Sequence, residues 1–216
     1  MAKNMSSDED KSAGGGVSVG KGAGGGVSAG KGAGERRVSG VFWLTRTAIL
    51  IALLIIIQAA TAPLGNTLVT GSIVNMVLIV AVMTSGFLTG LSVAAVSPVM
   101  AKLFNIGPLW GIIPFIAAGN IALIALWHIV ANRQFAKQPA PRVAALAAAA
   151  VAKFAVLYVG IVKIAVPLFL RMPEPQATII SNMFSLPQLF TASVGGVLAM
   201  AVYPSLRKAI GSKFYL

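Results

Sequence analysis

Between Phe42 and Tyr203 one apolar run follows another, several of them near the roughly 20 residues an α-helix needs to cross a bilayer, with very little charge inside them. Hydrocarbon offers the backbone no water, so such runs must satisfy their own N–H and C=O groups as helices. Composition argues against a soluble alternative. The 216 residues are 57% hydrophobic and 10% charged, with mean hydropathy +0.87, whereas a soluble domain carries about 25% charged residues. Too few polar groups remain to cover a globule in water. The reading is an all-α polytopic membrane protein with six transmembrane helices in a lipid bilayer.

Breakers divide the body into helices over about 42–60, 71–84, 87–104, 109–131, 143–170 and 186–203. Pro63-Leu64-Gly65-Asn66 ends the first, and Ser85-Gly86 separates the second from the third. Residues 1–40 form a separate Gly/Lys-rich tail ahead of a membrane domain at 41–216. Within the tail AGGGVSVGKG at 13–22 nearly repeats as AGGGVSAGKG at 23–32. Glycine at that density does not repay its ordering entropy, so a disordered leash is expected. Each repeat imitates the start of a phosphate-binding loop. Gly22 and Gly32 stand where Ser or Thr should hold magnesium, and no strand precedes them.

The formal net charge is +12, a balance that can signal nucleic acid. Here the basic residues sit between apolar runs instead of on one solvated face, which fits membrane topology and no nucleic acid partner. Residues 41–216 hold 11 basic residues and one acid, Glu174. With the amino terminus inside, Arg36, Arg37, Arg133, Lys137, Arg142, Arg207, Lys208 and Lys213 fall on the cytoplasmic side. Lys102, Arg171 and the outer end of the fifth helix, with Lys163, fall outside. That asymmetry favours an even number of spans, with both termini cytoplasmic.

Enzyme chemistry finds little support. The sequence holds no Cys, no HExxH and no Asp beyond the tail, and its one histidine, His128, has no carboxylate near it along the chain. No cofactor is called for. No intramembrane carboxylate offers the usual proton or sodium site of a secondary transporter.

Polar residues inside the apolar runs are the candidates for binding. Lys153 lies about 16 Å into the fifth helix at roughly 1.5 Å per residue. A charge there costs about 2.5–3.5 kcal/mol or more unless it is paired or hydrated. Asn120 lies at similar depth in the fourth helix and can stand beside it. Lys163, further out, either counters an anionic ligand or snorkels to the interface. Asn75 in the second helix can bind substrate or a neighbouring helix. Ser185 and Gln188 have the Ser-x-x-Gln spacing of a capping box at a helix start that could help hold an anion. Trp43 and Trp110 suit interfacial anchoring.

These residues, taken in order, resemble the S component of an energy-coupling factor (ECF) transporter, the small membrane subunit that captures a micronutrient. The resemblance spans Trp43 to Tyr203. It rests on Thr45-Arg46-Thr47-Ala48-Ile49-Leu50-Ile51-Ala52 in the first helix and Thr70-Gly71-Ser72-Ile73-Val74-Asn75 in the second. Pro114-Phe115-Ile116-Ala117-Ala118-Gly119-Asn120, Val151-Ala152-Lys153-Phe154 and Leu186-Pro187-Gln188-Leu189 complete it. The resemblance implies a bacterial cytoplasmic-membrane protein that binds a vitamin or related nutrient near the outer face, using the fourth to sixth helices and outer loops; the polar residues Asn75, Asn120, Lys153, Lys163 and Gln188 are the candidates for contacting it. It also implies docking on a transmembrane coupling subunit driven by two ATPase subunits, through the small residues Ala48 and Ala52. The substrate motifs of the better-known vitamin binders are missing, and the excess of basic residues favours an anionic nutrient. The alternatives are an autonomous small permease or channel, and a membrane assembly protein without a ligand.

Overall fold

The computed structural model describes residues 28–106, 109–131 and 139–210, with side chains from Gly40 onward except at 139–141, 207 and 210. The glycine repeats up to residue 27 lie outside the described residues, as do Arg133, Lys137 and Lys213. The chain divides into two units, Met1–Arg37 and Val38–Leu216. Of the first, the described part is the beginning of helix α1 (Ser28–Thr61). That start precedes Phe42, where the sequence placed it. Once the apolar segment has nucleated a helix, extension costs little per residue, and Glu35, Arg36 and Arg37 are good helix formers.

The second unit is an all-α polytopic membrane protein. Its apolar helices are α1, whose apolar span is Gly40–Leu64, then α2 (Thr67–Ser85), α3 (Phe87–Leu103) and α4 (Ile113–Ala131). The fifth is α5 (Pro139–Leu157), with its π-helical continuation Tyr158–Leu170. After a short α6 (Glu174–Met183) comes the sixth, α7 (Leu186–Ile210). Five of these spans are long and apolar enough to cross a membrane. The other, α3, has 17 residues, about 25 Å at 1.5 Å each, which is the lower end of a crossing length.

Local chemistry sets the boundaries. Gly65, at φ 61°, ends the 3₁₀ turn Ala62–Leu64 after α1. The Asn66 side chain then caps α2, accepting from the N–H groups of Leu68 at 3.0 Å and Val69 at 3.3 Å. The Thr70 hydroxyl donates to Thr61 Oγ1 at 2.9 Å, tying the two helix ends together. Gly86 at φ 86° is the single residue between α2 and α3, a conformation that a side chain would strain. The two helices are therefore separate, as the six-span reading requires. The stretch 171–185, expected as an outer loop, instead contains α6. Proline at its first turn and Glu174 at its positive end favour that start.

Close contacts give the helix directions. Gly90 of α3 meets Val82 of α2, and Gly119 of α4 meets Leu157 of α5. Gly71 of α2 faces Thr191 of α7, whereas Gly195 faces Ser72 and Asn75, so α2 and α7 run parallel. Gly160 of the π-helical stretch meets Phe115 of α4 while Gly119 meets Leu157, so the fourth and fifth spans run antiparallel. The main core joins Leu54, Leu78, Ile79, Val93, Leu123 and Trp127. A second cluster at the other end joins Ile112, Leu157, Ile161 and Phe184, with α6 packed on it through Ala177 and Ile180. Helix α1 is the least buried of the five long spans.

Candidate functional site

Three polar side chains from three helices meet in the interior of the bundle. Lys153 Nζ donates to Asn75 Oδ1 at 2.5 Å and to Asn120 Oδ1 at 2.7 Å. All three are deeply buried, at 4%, 1% and 2% exposure. Asn75 Nδ2 donates onward to Thr191 Oγ1 at 3.4 Å, and Thr191 donates to the Gln188 carbonyl at 3.2 Å. The chain of bonds links α4, α5, α2 and α7. In a low-dielectric interior each member polarises the next, which offsets part of the cost of burying a lysine.

Glycines permit this convergence. A Cβ on Gly195 would lie 2.5 Å from the Ser72 carbonyl oxygen and 2.6 Å from Asn75 Cβ. Only a residue without a side chain lets α7 press against α2 at the level of Asn75. A Cβ on Gly119, the neighbour of Asn120, would lie 2.7 Å from Leu157 Cγ. The two asparagines are thus held at helix crossings set by backbone approach.

Beside the network is a cavity of about 130 Å³, large compared with the roughly 10–15 Å³ on this kind of measure that one water needs. Gln58, Asn75, Ser97, Asn120, Lys153 and Gln188 bring polar groups to its wall. Ile116, Leu157 and Phe184 give it an apolar side. Every one of the six apolar helices contributes. The contributions come from late in α1 and α3 and early in α2, α4 and α7, so the cavity occupies one half of the bundle. This is the half that carries the α1–α2 turn and α6.

The structure brings four of the five expected binding residues, Asn75, Asn120, Lys153 and Gln188, to this one cavity. It does not bring Lys163 there. That side chain is exposed on the π-helical stretch, its Nζ 5.5 Å from the centre of the Tyr158 ring. This is a cation–π contact of the kind an interfacial lysine makes. The expected capping box at Ser185 and Gln188 is not formed. The Ser185 hydroxyl donates back to the Ser181 carbonyl at 2.5 Å, and Gln188 Nε2 donates to the Met183 carbonyl at 3.1 Å. The last turn of α6 competes successfully for both side chains.

Gln58, Ser97 and Phe184 also line the cavity, and Thr191 extends the network, beyond the residues that the sequence singles out. Gln58 carried a signal, as a lone amide in the apolar run of α1. Thr191 carried none, since a threonine in a membrane helix usually bonds its own preceding turn. Ala48 and Ala52 are exposed on α1, away from the cavity lining. Comparison with known proteins finds no family model, curated protein or solved structure that matches this chain.

Proposed function

We propose that the chain is the substrate-capturing membrane subunit of an ATP-driven importer, an S component of the ECF type that takes up a vitamin or related micronutrient. The observation that supports this reading best is the intramembrane cavity to which every apolar helix contributes, with Lys153, Asn75 and Asn120 at its wall. Ligand sites are concave, mostly apolar and fixed by a few convergent polar groups, and an ionisable residue inside a membrane is retained for function more often than not. The excess of basic residues in the connectors assigned to one side supports an orientation with both termini in the cytoplasm. The cavity then lies in the outer half of the bundle, where a nutrient arrives.

The exposed Ala48 and Ala52 suit close approach of a coupling subunit, because small side chains let helix backbones pack in lipid. The test is co-expression with a coupling subunit and its two ATPases. Co-purification and nutrient uptake that stops when the ATPases are inactivated are expected. Uptake that continues without ATP hydrolysis would replace this reading with an autonomous permease.

A further inference from the structure

The lysine at the cavity wall bears on what the cavity takes. A charged lysine offers three N–H donors, and two are engaged by neutral amide oxygens, Asn75 Oδ1 and Asn120 Oδ1. Neither partner supplies a negative charge. The only acid in residues 41–216 is Glu174, at the start of α6 and not on the cavity wall. Among the described residues no further group bonds the ammonium or answers its charge, so the remaining donor faces the occupant. Beyond Lys153 the wall turns apolar at Ile116, Leu157 and Phe184, with the amide of Gln188 at the margin.

We propose that the cavity selects a small amphipathic monoanion, its carboxylate on Lys153 Nζ and its apolar body against Leu157 and Phe184. The asparagines act as positioning residues: they aim the ammonium without neutralising it. Asp at either position would satisfy the lysine internally and leave no charge for a ligand. This inference rests on the reading of the cavity as a substrate site and narrows what that site accepts.

The test uses the full chain in nanodiscs and isothermal titration at one pH. The probes are phenylacetate, phenylacetamide and phenethylamine, then valerate, valeramide and pentylamine. Acids are expected to bind at least about tenfold more tightly than the matching amides, the difference between a charge-assisted and a neutral hydrogen bond, and amines not at all. Asn120→Asp, nearly the same shape, is expected to keep or raise thermal stability while losing about tenfold or more in acid affinity. The proposal is overturned if no acid outbinds its amide, if an amine binds best, or if folded Asn120→Asp keeps the wild-type preference. The wild-type series stands by itself should the variant not fold. Acid-selective binding without ATP-coupled uptake would uphold this inference and remove the importer reading; ATP-coupled uptake of a cationic or neutral nutrient would do the reverse.

Discussion

Gly195→Ala should destabilise the bundle although alanine is the better helix former. The added Cβ would meet the Ser72 carbonyl oxygen at 2.5 Å, Asn75 Cβ at 2.6 Å and the Met76 nitrogen at 2.9 Å. Two of these are backbone atoms and the third is fixed to it, so no rotamer change relieves the overlap. Reaching ordinary contact near 3.4 Å requires α2 and α7 to part by almost 1 Å. Overpacking of this kind costs about 1–3 kcal/mol, and the rigid neighbours put it toward the upper end. Replacing a helical glycine by alanine returns about 1 kcal/mol, leaving a net loss of about 1–2 kcal/mol. The same shift stretches the Asn75–Thr191 hydrogen bond, already 3.4 Å, so ligand affinity should fall as well. Gly40→Ala is the control, since nothing lies within 4 Å of its Cβ position. Thermal unfolding in detergent should show Gly195→Ala below wild type and Gly40→Ala level with it or above. Equal stability of the two variants would refute the close-approach argument.

Three further substitutions separate the roles of other residues. Thr89 Oγ1 is buried with no hydrogen-bond partner among the described residues; Thr89→Val should raise stability by about 1 kcal/mol in the same unfolding assay, and a loss would mean the hydroxyl is bonded. Leucine at both Ala48 and Ala52 should abolish ATP-dependent uptake while leaving ligand titration unchanged; undiminished uptake would remove α1 as the docking face. Lys163→Ala should leave ligand affinity within about twofold of wild type, since exposed substitutions seldom exceed about 0.5 kcal/mol; a tenfold loss would place that lysine at the ligand after all.

Much of the site was legible because lipid makes polar residues conspicuous. Lys153, Asn120 and Asn75 interrupt runs of Ala, Val, Ile and Leu, and counting the helical rise put the first two at one depth. Their direct bonding adds a rotation that depth alone does not give. Helix α6 was hidden because it is short and half polar, with neither the length nor the hydropathy of a span. The fate of Lys163 was hidden for another reason. From Tyr158 the chain continues as a π-helix carrying Pro167, so counting an α-helical period no longer tells which way a side chain faces. The Ser185/Gln188 pair had the spacing of a cap, but carbonyls at the end of α6 hold both side chains, and nothing in the spacing reveals such a competitor.

The proposed opening of the cavity to the outer face can be tested directly, because the chain has no cysteine and any introduced thiol stands alone. Gln188→Cys in intact cells should react with a membrane-impermeant maleimide added outside, whereas Lys208→Cys should react only after the membrane is permeabilised. The reverse pattern, or labelling of both without permeabilisation, would contradict an intramembrane site that opens to the outer face.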